Sequence, residues 1–113
     1  MKTLVIVDGG ICGFQTRIHA ESDDSQNVTF KIASACEKAR KFAEALMAKG
    51  PVDGYAEIGA GSDGVVLTTA RDILKGCCAA CAAPVGAFKA MQVAAGVALP
   101  KDVTIRISQA EEA

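Results

Sequence analysis

The stretch FQTRIHAESDDSQNVTFKIASACEK, residues 14–38, decides the fold of this chain. Along residues 14–20 and again along residues 28–32, apolar or small side chains alternate with polar ones. This period of two is typical of half-buried antiparallel strands. The polar residues 22–27 between the two runs indicate a turn. With the earlier apolar run Leu4–Val7, the pattern predicts a three-stranded meander with one apolar face.

A helix is predicted to follow the meander at once. Ser34 and Glu37 have the spacing of a capping box, with Ser34 at the N-cap and Glu37 at N3. Gly50 followed by Pro51 supplies the signal for the end of the helix. Its predicted buried stripe consists of Ala39, Phe42, Ala43 and Leu46.

The second half of the chain holds weaker signals. Residues 51–64 are interpreted as rich in loops, and a second helix is expected over residues 65–74. Pro84 is suited to the first position of a third helix, which would end near Leu99 and is apolar nearly all round. Alternation of Val103, Ile105 and Ile107 with polar residues predicts a closing strand, and residues 109–113 are expected to fray.

These elements predict a single α+β domain over residues 1–113. Its two layers would be an antiparallel sheet, made of the meander plus the C-terminal strand, and two or three helices on one face. At this length a domain can bury its own core without disulfide or metal support.

Charge and composition limit the function. Twelve Lys and Arg residues balance thirteen Asp and Glu residues without a basic cluster, so the electrostatic footprint of a nucleic-acid binder is missing. The start of the chain does not read as a signal peptide. The apolar stretch 82–99 contains Pro84, Lys89 and Gln92, which favours a buried helix over a membrane span. We therefore expect a cytoplasmic protein.

Five cysteines, an odd number in a chain expected in the cytoplasm, argue against a disulfide framework. Cys12 falls in the predicted turn after the first strand, and Cys36 falls in the first turn of the capped helix. The remaining three directly precede the third helix. A helix N-terminus favours the thiolate, the form of cysteine that binds metals. Gly10 and Gly13 would let the backbone approach a cluster and donate N–H groups to its sulfurs.

We interpret four of these cysteines as ligands of an iron–sulfur cluster or of Zn²⁺, namely Cys12, Cys36, Cys78 and Cys81. The alternative is that cysteines of an alanine-rich chain simply fill space in the core, and for Cys77 this is the better interpretation. The single histidine, His19, falls on the polar face of the second strand and is interpreted as a surface residue rather than a ligand.

Three segments also resemble a known family: Ile11–Phe14, Ala35–Lys38 and Cys78–Cys81. Their order and spacing are similar to those of the U-type iron–sulfur scaffold proteins, the IscU/NifU N-terminal family. In that family, cysteines occupy a turn between early strands and the starts of two later helices. The resemblance extends roughly from Thr3 to Leu99 and implies a scaffold or carrier whose partners are other iron–sulfur or redox proteins. The chain also resembles a family of small cysteine-containing proteins without a known function.

The sequence departs from the scaffold family in its cysteine surroundings. An Asp of the family pattern is Phe14 here, and no His precedes the last cysteine of the set. The additional cysteine would permit ligation by four thiolates, which implies a more stably held cluster or Zn²⁺.

Other motifs point to no catalytic set. Residues 59–64 match GxGxxG, but no long strand precedes them, so a flexible turn is expected rather than a dinucleotide site. The pair Asp23-Asp24 is explained by turn chemistry. We therefore expect a binding protein rather than an enzyme. Two alternatives remain: a thiol–disulfide redox protein using Cys78 and Cys81, and an interaction domain that forms a homodimer through the helix Pro84–Leu99.

Overall fold

The three predicted strands form an antiparallel meander in a computed structural model, which describes residues 1–111. They are β1 (Lys2–Asp8), β2 (Gln15–Glu21) and β3 (Asn27–Ser34). Ile18 in the middle of β2 lies opposite Val5 on one side and opposite Ile32 on the other. Alternate residues of β2 and β3 are buried, so the period-two pattern correctly identified the face that meets the core.

A fourth, two-residue strand, β4 (Val52–Asp53), pairs antiparallel with the start of β3 and places Val52 opposite Val28. The sheet order is therefore β1-β2-β3-β4. With helices packed against the buried face of the sheet, this is the predicted α+β architecture.

The C-terminal strand predicted at Val103–Ile107 is wrong. Residues 99–110 have no regular secondary structure, and every residue of this stretch is exposed. The alternating pattern is present, but alternation alone does not make a strand: the segment pairs with no strand of the sheet, whose fourth strand is β4. Residues 109–111 of the predicted frayed tail are likewise exposed, while residues 112–113 lie outside the described chain.

Helix α1 (Glu37–Ala48) buries the predicted stripe of Ala39, Phe42, Ala43 and Leu46 and packs against β3. The predicted capping box is wrong, because the N-cap is Cys36 and Glu37 is the first helical residue. Ser34 still belongs to β3, where it lies opposite Thr16. Its hydroxyl accepts a hydrogen bond from Thr16 Oγ1 at 2.9 Å and another from the Cys36 N–H at 3.2 Å.

The expectation that residues 51–64 are mostly loop is also wrong. Beyond β4, helix α2 (Gly54–Ala60) begins at once, because the Asp53 carboxylate accepts hydrogen bonds from the N–H groups of Tyr55 and Ala56, both at 3.0 Å. A 3₁₀ turn at Gly61–Asp63 leads into α3 (Val65–Ile73). This helix matches the predicted second helix and contacts α1.

Helix α4 (Ala83–Ala94) covers β1 and β2. It ends earlier than the predicted Leu99, because Ala95 is the C-cap and Gly96 adopts the left-handed conformation with φ of +78°. Among the described residues, Gly76–Ala94 is the one stretch with the length and mean hydropathy, 1.3, of a membrane-crossing helix. It consists of a 3₁₀ turn at Gly76–Cys78 and α4, whose apolar residues pack in the core of this globular domain.

Close packing of α4 on the sheet depends on Gly86. A methyl group at this position would lie 2.5 Å from Val7 Cγ2 and 3.2 Å from Ile18 Cδ1. Both neighbours have little freedom to move, since Ile18 is fully buried and valine is stiff at χ1. The absence of a side chain at residue 86 therefore sets the distance between α4 and the two strands below it.

We predict that Gly86→Ala lowers the free energy of unfolding by about 1–2 kcal/mol, because overpacking outweighs the gain in helix propensity. The matched control is Gly59→Ala in α2, where a methyl group would meet nothing within 4 Å. That variant should be neutral or more stable by up to about 1 kcal/mol. Urea unfolding of both variants measures the difference, and stabilisation by Gly86→Ala would contradict the packing argument.

The turn between β2 and β3 is organised by Asp24. Its carboxylate accepts hydrogen bonds from the Asn27 side-chain amide at 2.9 Å, from the Asn27 N–H at 2.8 Å and from the Gln26 N–H at 2.9 Å. These bonds, led by the one from the Asn27 side chain, hold the pKa of Asp24 far below its ordinary value. The Gln26 side chain also donates to Asp53 at 2.8 Å, and hydrogen bonds from the Ala56 N–H and then from Gln26 lower the pKa of Asp53.

A pH prediction follows from these two carboxylates. Their pKa values are depressed in the folded chain, so their stabilising contribution is complete above the unfolded value of about 4 and is lost as the pH falls below it. We expect the urea concentration at the unfolding midpoint to decrease as the pH is lowered from about 5 to about 2.5. In Asp24→Asn, this decrease should be smaller. Asp23→Asn, in the same turn, is the control. An unchanged acid dependence in Asp24→Asn would contradict the assignment.

Candidate functional site

The three cysteine-bearing segments lie at one end of the domain. Asp8 at the end of β1 pairs with Gln15 at the start of β2, so the turn that carries Cys12 lies at this end of the sheet. Ser34 pairs with Thr16, which brings the end of β3 and the following Cys36 to the same end. The first turns of α4 also begin here, as the contact between Gly86 and Val7 shows. We call this end of the molecule the cysteine end.

Cys12 ends a 3₁₀ turn formed by Gly10–Cys12 between β1 and β2. The turn closes through a hydrogen bond from the Gly9 N–H to the Phe14 carbonyl at 2.8 Å. Gly10 and Gly13 both have positive φ, at +76° and +73°, so the backbone conformation favours glycine at the two positions beside Ile11 and Cys12. The Cys12 sulfur folds back over Gly9 and occupies the space that a side chain there would need.

The same turn is the most exposed apolar part of the cysteine end. All six residues from Gly9 to Phe14 are exposed, with Ile11 fully exposed and Phe14 exposed to 43%. Large exposed apolar side chains beside a thiol form a surface that a partner can cover. Gly10, Cys12 and Gly13 are predicted from the sequence, whereas the exposure of Ile11 carries no sequence signal because isoleucine is usually buried.

Cys36 is the N-cap of α1, and its side chain makes no capping hydrogen bond. Its thiol therefore stands at the N-terminal end of the helix, where the first-turn N–H groups carry partial positive charge. The residue is half-buried. The predicted location at a helix start is confirmed, although at the N-cap rather than within the first turn.

The other three cysteines lie in the turn that leads into α4. Cys78 and Cys81 are half-buried and pack against the core, and the Cys81 N–H donates to the Cys78 carbonyl at 3.0 Å. Cys77 is exposed, so the alternative that it fills space in the core is wrong. Cys81 also lines a groove of about 260 Å³ between α3 and α4, and Arg71 of α3 lines the same groove.

All five cysteines are free thiols. Among residues 1–111, no group of three or more His, Cys, Asp or Glu side chains is placed to hold one metal ion in this conformation. The topology thus brings the four predicted ligands to one end of the domain but not to ligating distance. His19 lies on the open face of the sheet, opposite Leu4 and Lys31, away from the cysteine segments.

The GxGxxG segment at residues 59–64 is structured rather than a flexible turn. It contains the end of α2, the 3₁₀ turn and the N-cap of α3. The buried carboxylate of Glu57 accepts hydrogen bonds from the N–H groups of Val65 at 2.9 Å and Val66 at 2.6 Å. A phosphate would need these same N–H groups, so the chain itself occupies the place that a dinucleotide would take. Sequence reasoning missed Glu57, since a cap from eight residues upstream lies outside the local capping patterns.

Comparison with known proteins adds one match. The profile of a family of unknown function (DUF6951) matches residues 3–107, which is most of the chain. The chain belongs to the DUF6951 family. No curated protein and no solved structure matches it. The matched range of this DUF6951 chain includes β1 from Thr3 onward, all the later strands and helices, and the exposed segment as far as Ile107.

We predict that alkylation of the native, reduced protein distinguishes the cysteines by exposure. Cys12 and Cys77 should react first, and Cys36, Cys78 and Cys81 should react more slowly, because only the first two are exposed. Peptide mapping by mass spectrometry after timed addition of iodoacetamide measures the order. The same reaction in denaturant, where all five should react at similar rates, is the control. Equal rates in the native protein would contradict the described burial.

Proposed function

We propose that this DUF6951 protein binds a metal ion or an iron–sulfur cluster through the thiolates of Cys12, Cys36, Cys78 and Cys81, and acts as a scaffold or carrier rather than an enzyme. The observation that carries the proposal is the convergence of three separate cysteine segments on the cysteine end of the domain. Residues far apart in sequence converge there because the meander and α4 share that end. Thiolates are the ordinary ligands of iron–sulfur clusters and common ligands of Zn²⁺, so a concentration of thiols is suited to either centre.

Binding requires a rearrangement of the site. Zn–S bonds are about 2.3 Å long, which places sulfurs that share one tetrahedral metal about 4 Å apart. Since the thiols are not at ligating distance, at least one segment has to move. The turn from Gly9 to Phe14 is the best candidate, because every residue of it is exposed and two of its glycines can change backbone conformation with little steric cost. Gly10 and Gly13 would then bring backbone N–H groups close to the bound centre.

The surroundings of the turn support a partner at this end. Ile11 and Phe14 are exposed on both sides of Cys12. A protein that delivers or receives the metal or cluster could cover these side chains while it approaches the thiolate. We propose other iron–sulfur or redox proteins as partners and the reducing cytoplasm as the location, where the thiols stay free. Neither nucleic acid nor a membrane is part of this proposal, since the charges are balanced and the apolar helix α4 is used by the core.

The metal proposal predicts a specific loss of binding in single variants. Anaerobic incubation with iron and sulfide, or titration with Zn²⁺, should load the reduced chain. Metal binding should weaken by more than about tenfold in each of four single variants: Cys12→Ser, Cys36→Ser, Cys78→Ser and Cys81→Ser. Loss of a residue that coordinates the metal costs at least as much affinity as loss of a residue that only orients a ligand. Elemental analysis and visible absorbance after desalting measure the bound metal.

Cys77→Ser is the matched control, since it removes a neighbouring exposed thiol that is not a proposed ligand. Binding that depends on Cys77 as strongly as on Cys78 would contradict the assignment of ligands. Absence of bound iron and zinc, together with absence of visible absorbance, would contradict the function itself.

A second candidate is a thiol–disulfide redox protein. It is favoured by the turn that joins Cys78 to Cys81 through a backbone hydrogen bond and leaves both thiols half-buried beside α4. Reversible oxidation of this pair, with loss of two thiols and no metal uptake, would support this candidate over metal binding.

A further inference from the structure

Strand β1 has a free edge. Among the described residues, no strand pairs with β1 on the side away from β2, and β1 extends over seven residues without a proline. Leu4 and Ile6 on its open face are exposed to 46% and 48%. A long edge with apolar side chains is a template for pairing with another strand, and proteins ordinarily protect such edges.

The other face of β1 is also incompletely covered. Thr3, Val5 and Val7 point toward the helices but are only partly buried, whereas the corresponding residues of β2 and β3 are buried. The difference follows from position, because β1 has a neighbouring strand on one side only. A further strand beside β1, with apolar residues on the helix side, would extend the buried face by one strand.

The same chain contains a segment with the pattern of the missing strand. In Val103–Ile107, three apolar residues alternate with Thr104 and Arg106, and the three are exposed to 58%, 76% and 93%. The family match includes this segment, so it is part of the sequence that the family shares rather than an appendage. Within residues 1–111, this strand-like apolar stretch is exposed and pairs with no strand of its own chain.

The chain leaves α4 at a position that separates Val103–Ile107 from its own sheet. Ala95 lies close to Gly54, whose N–H donates to the Gln26 carbonyl at 2.8 Å, at the end of the domain opposite the cysteine end. The chain then continues through Leu99 and Pro100, and proline holds both itself and the preceding residue extended. The longest dimension of the molecule is 49 Å, against 27 and 24 Å for the other two. Since residues 99–110 are all exposed and pair with no strand, the segment does not lie along its own β1.

We propose that Val103–Ile107 of one copy adds as a fifth strand to the free edge of β1 in a second copy, and that two copies exchange these segments. Each copy has one projecting strand and one accepting edge, so reciprocal exchange satisfies both and closes the assembly at two chains. Val103, Ile105 and Ile107 would face the helix layer beside Val5 and Val7. Backbone hydrogen bonds would supply affinity, as they do when an extended peptide adds to a sheet edge.

This assembly is independent of the proposed metal site, because the accepting edge and the exit of the segment do not involve the cysteines. It also differs from a homodimer through the helix Pro84–Leu99. Eight of the twelve residues of α4 are buried in the core, which leaves little of that helix for a second chain.

Sedimentation equilibrium of the reduced full chain tests the exchange. We expect a dimer for the wild-type chain, and Ile105→Pro should raise the dissociation constant by more than about tenfold, because proline removes a ladder N–H and cannot continue a central strand. Residue 105 is exposed and lies outside the helices and strands, so the folded domain should keep its circular dichroism spectrum. Ala110→Pro is the matched control and should leave the dimer intact.

Hydrogen exchange identifies the surface. In the dimer, the amides of Val103–Ile107 and of β1 should be protected, and both sets should lose protection in Ile105→Pro. A peptide of residues 99–110 added to the Ile105→Pro chain should restore protection in β1. A monomeric wild-type chain, whether its segment is open or protected on its own β1, would overturn the proposal. A dimer unaffected by Ile105→Pro would also overturn it and would place the interface elsewhere, with α4 the first candidate.

Discussion

The close approach of α4 to β1 and β2 is the contact on which the rest of the structure depends. Five of the eight buried residues of α4 are glycine or alanine, and at Gly86 the helix backbone lies nearer to the strands than a larger side chain would allow. Ile18 fills the space beneath it and is fully buried. The chain has no Trp and its one Tyr is exposed, so such short distances contribute to the cohesion of the core beside the buried aromatic side chains of Phe30 and Phe42.

This packing also determines where the chemistry-bearing residues lie. Since α4 runs antiparallel to β1, the turn before the helix comes to the end of the sheet where β1 stops and β2 starts. The meander brings the end of β3 there as well, and with it the N-cap Cys36. The cysteine end is thus a consequence of strand order and helix direction. The opposite end holds a polar arrangement of Asp24, Gln26 and Asp53 that joins the turn between β2 and β3 to α2.

Sequence patterns predicted the elements whose signals are local and repeated. The alternation in β2 and β3 and the helical stripe containing Phe42 describe the same buried face that the structure has, because burial itself produces the period. The failures have a common cause. Ser34 satisfies a capping pattern but is held in β3 by its pairing with Thr16. Val103–Ile107 has a strand pattern, yet it pairs with no strand of its own sheet, because pairing depends on tertiary placement as well as on alternation.

In the candidate site, too, the features that follow from local sequence signals were predicted and those that depend on tertiary packing were not. The sequence placed Cys12 and Cys36 correctly at a turn and at a helix start, and those positions follow from local signals. The distances between thiols depend on how the segments pack, which no local pattern describes. Glu57 is the clearest example, since its contact with the start of α3 spans a gap of eight residues and depends on the conformation of the turn between them.

The contact between Glu57 and Val65 also affects where the chain tolerates an insertion. Because the Glu57 carboxylate touches the N–H of Val65, the two ends of the segment 58–64 are held side by side by an interaction outside the segment. The 3₁₀ turn at Gly61–Asp63 forms the tip of a closed loop that reaches the surface. Lengthening a loop whose ends are already fixed adds little closure entropy. We therefore expect this tip to accept an inserted reporter peptide or second domain without displacement of α2 or α3.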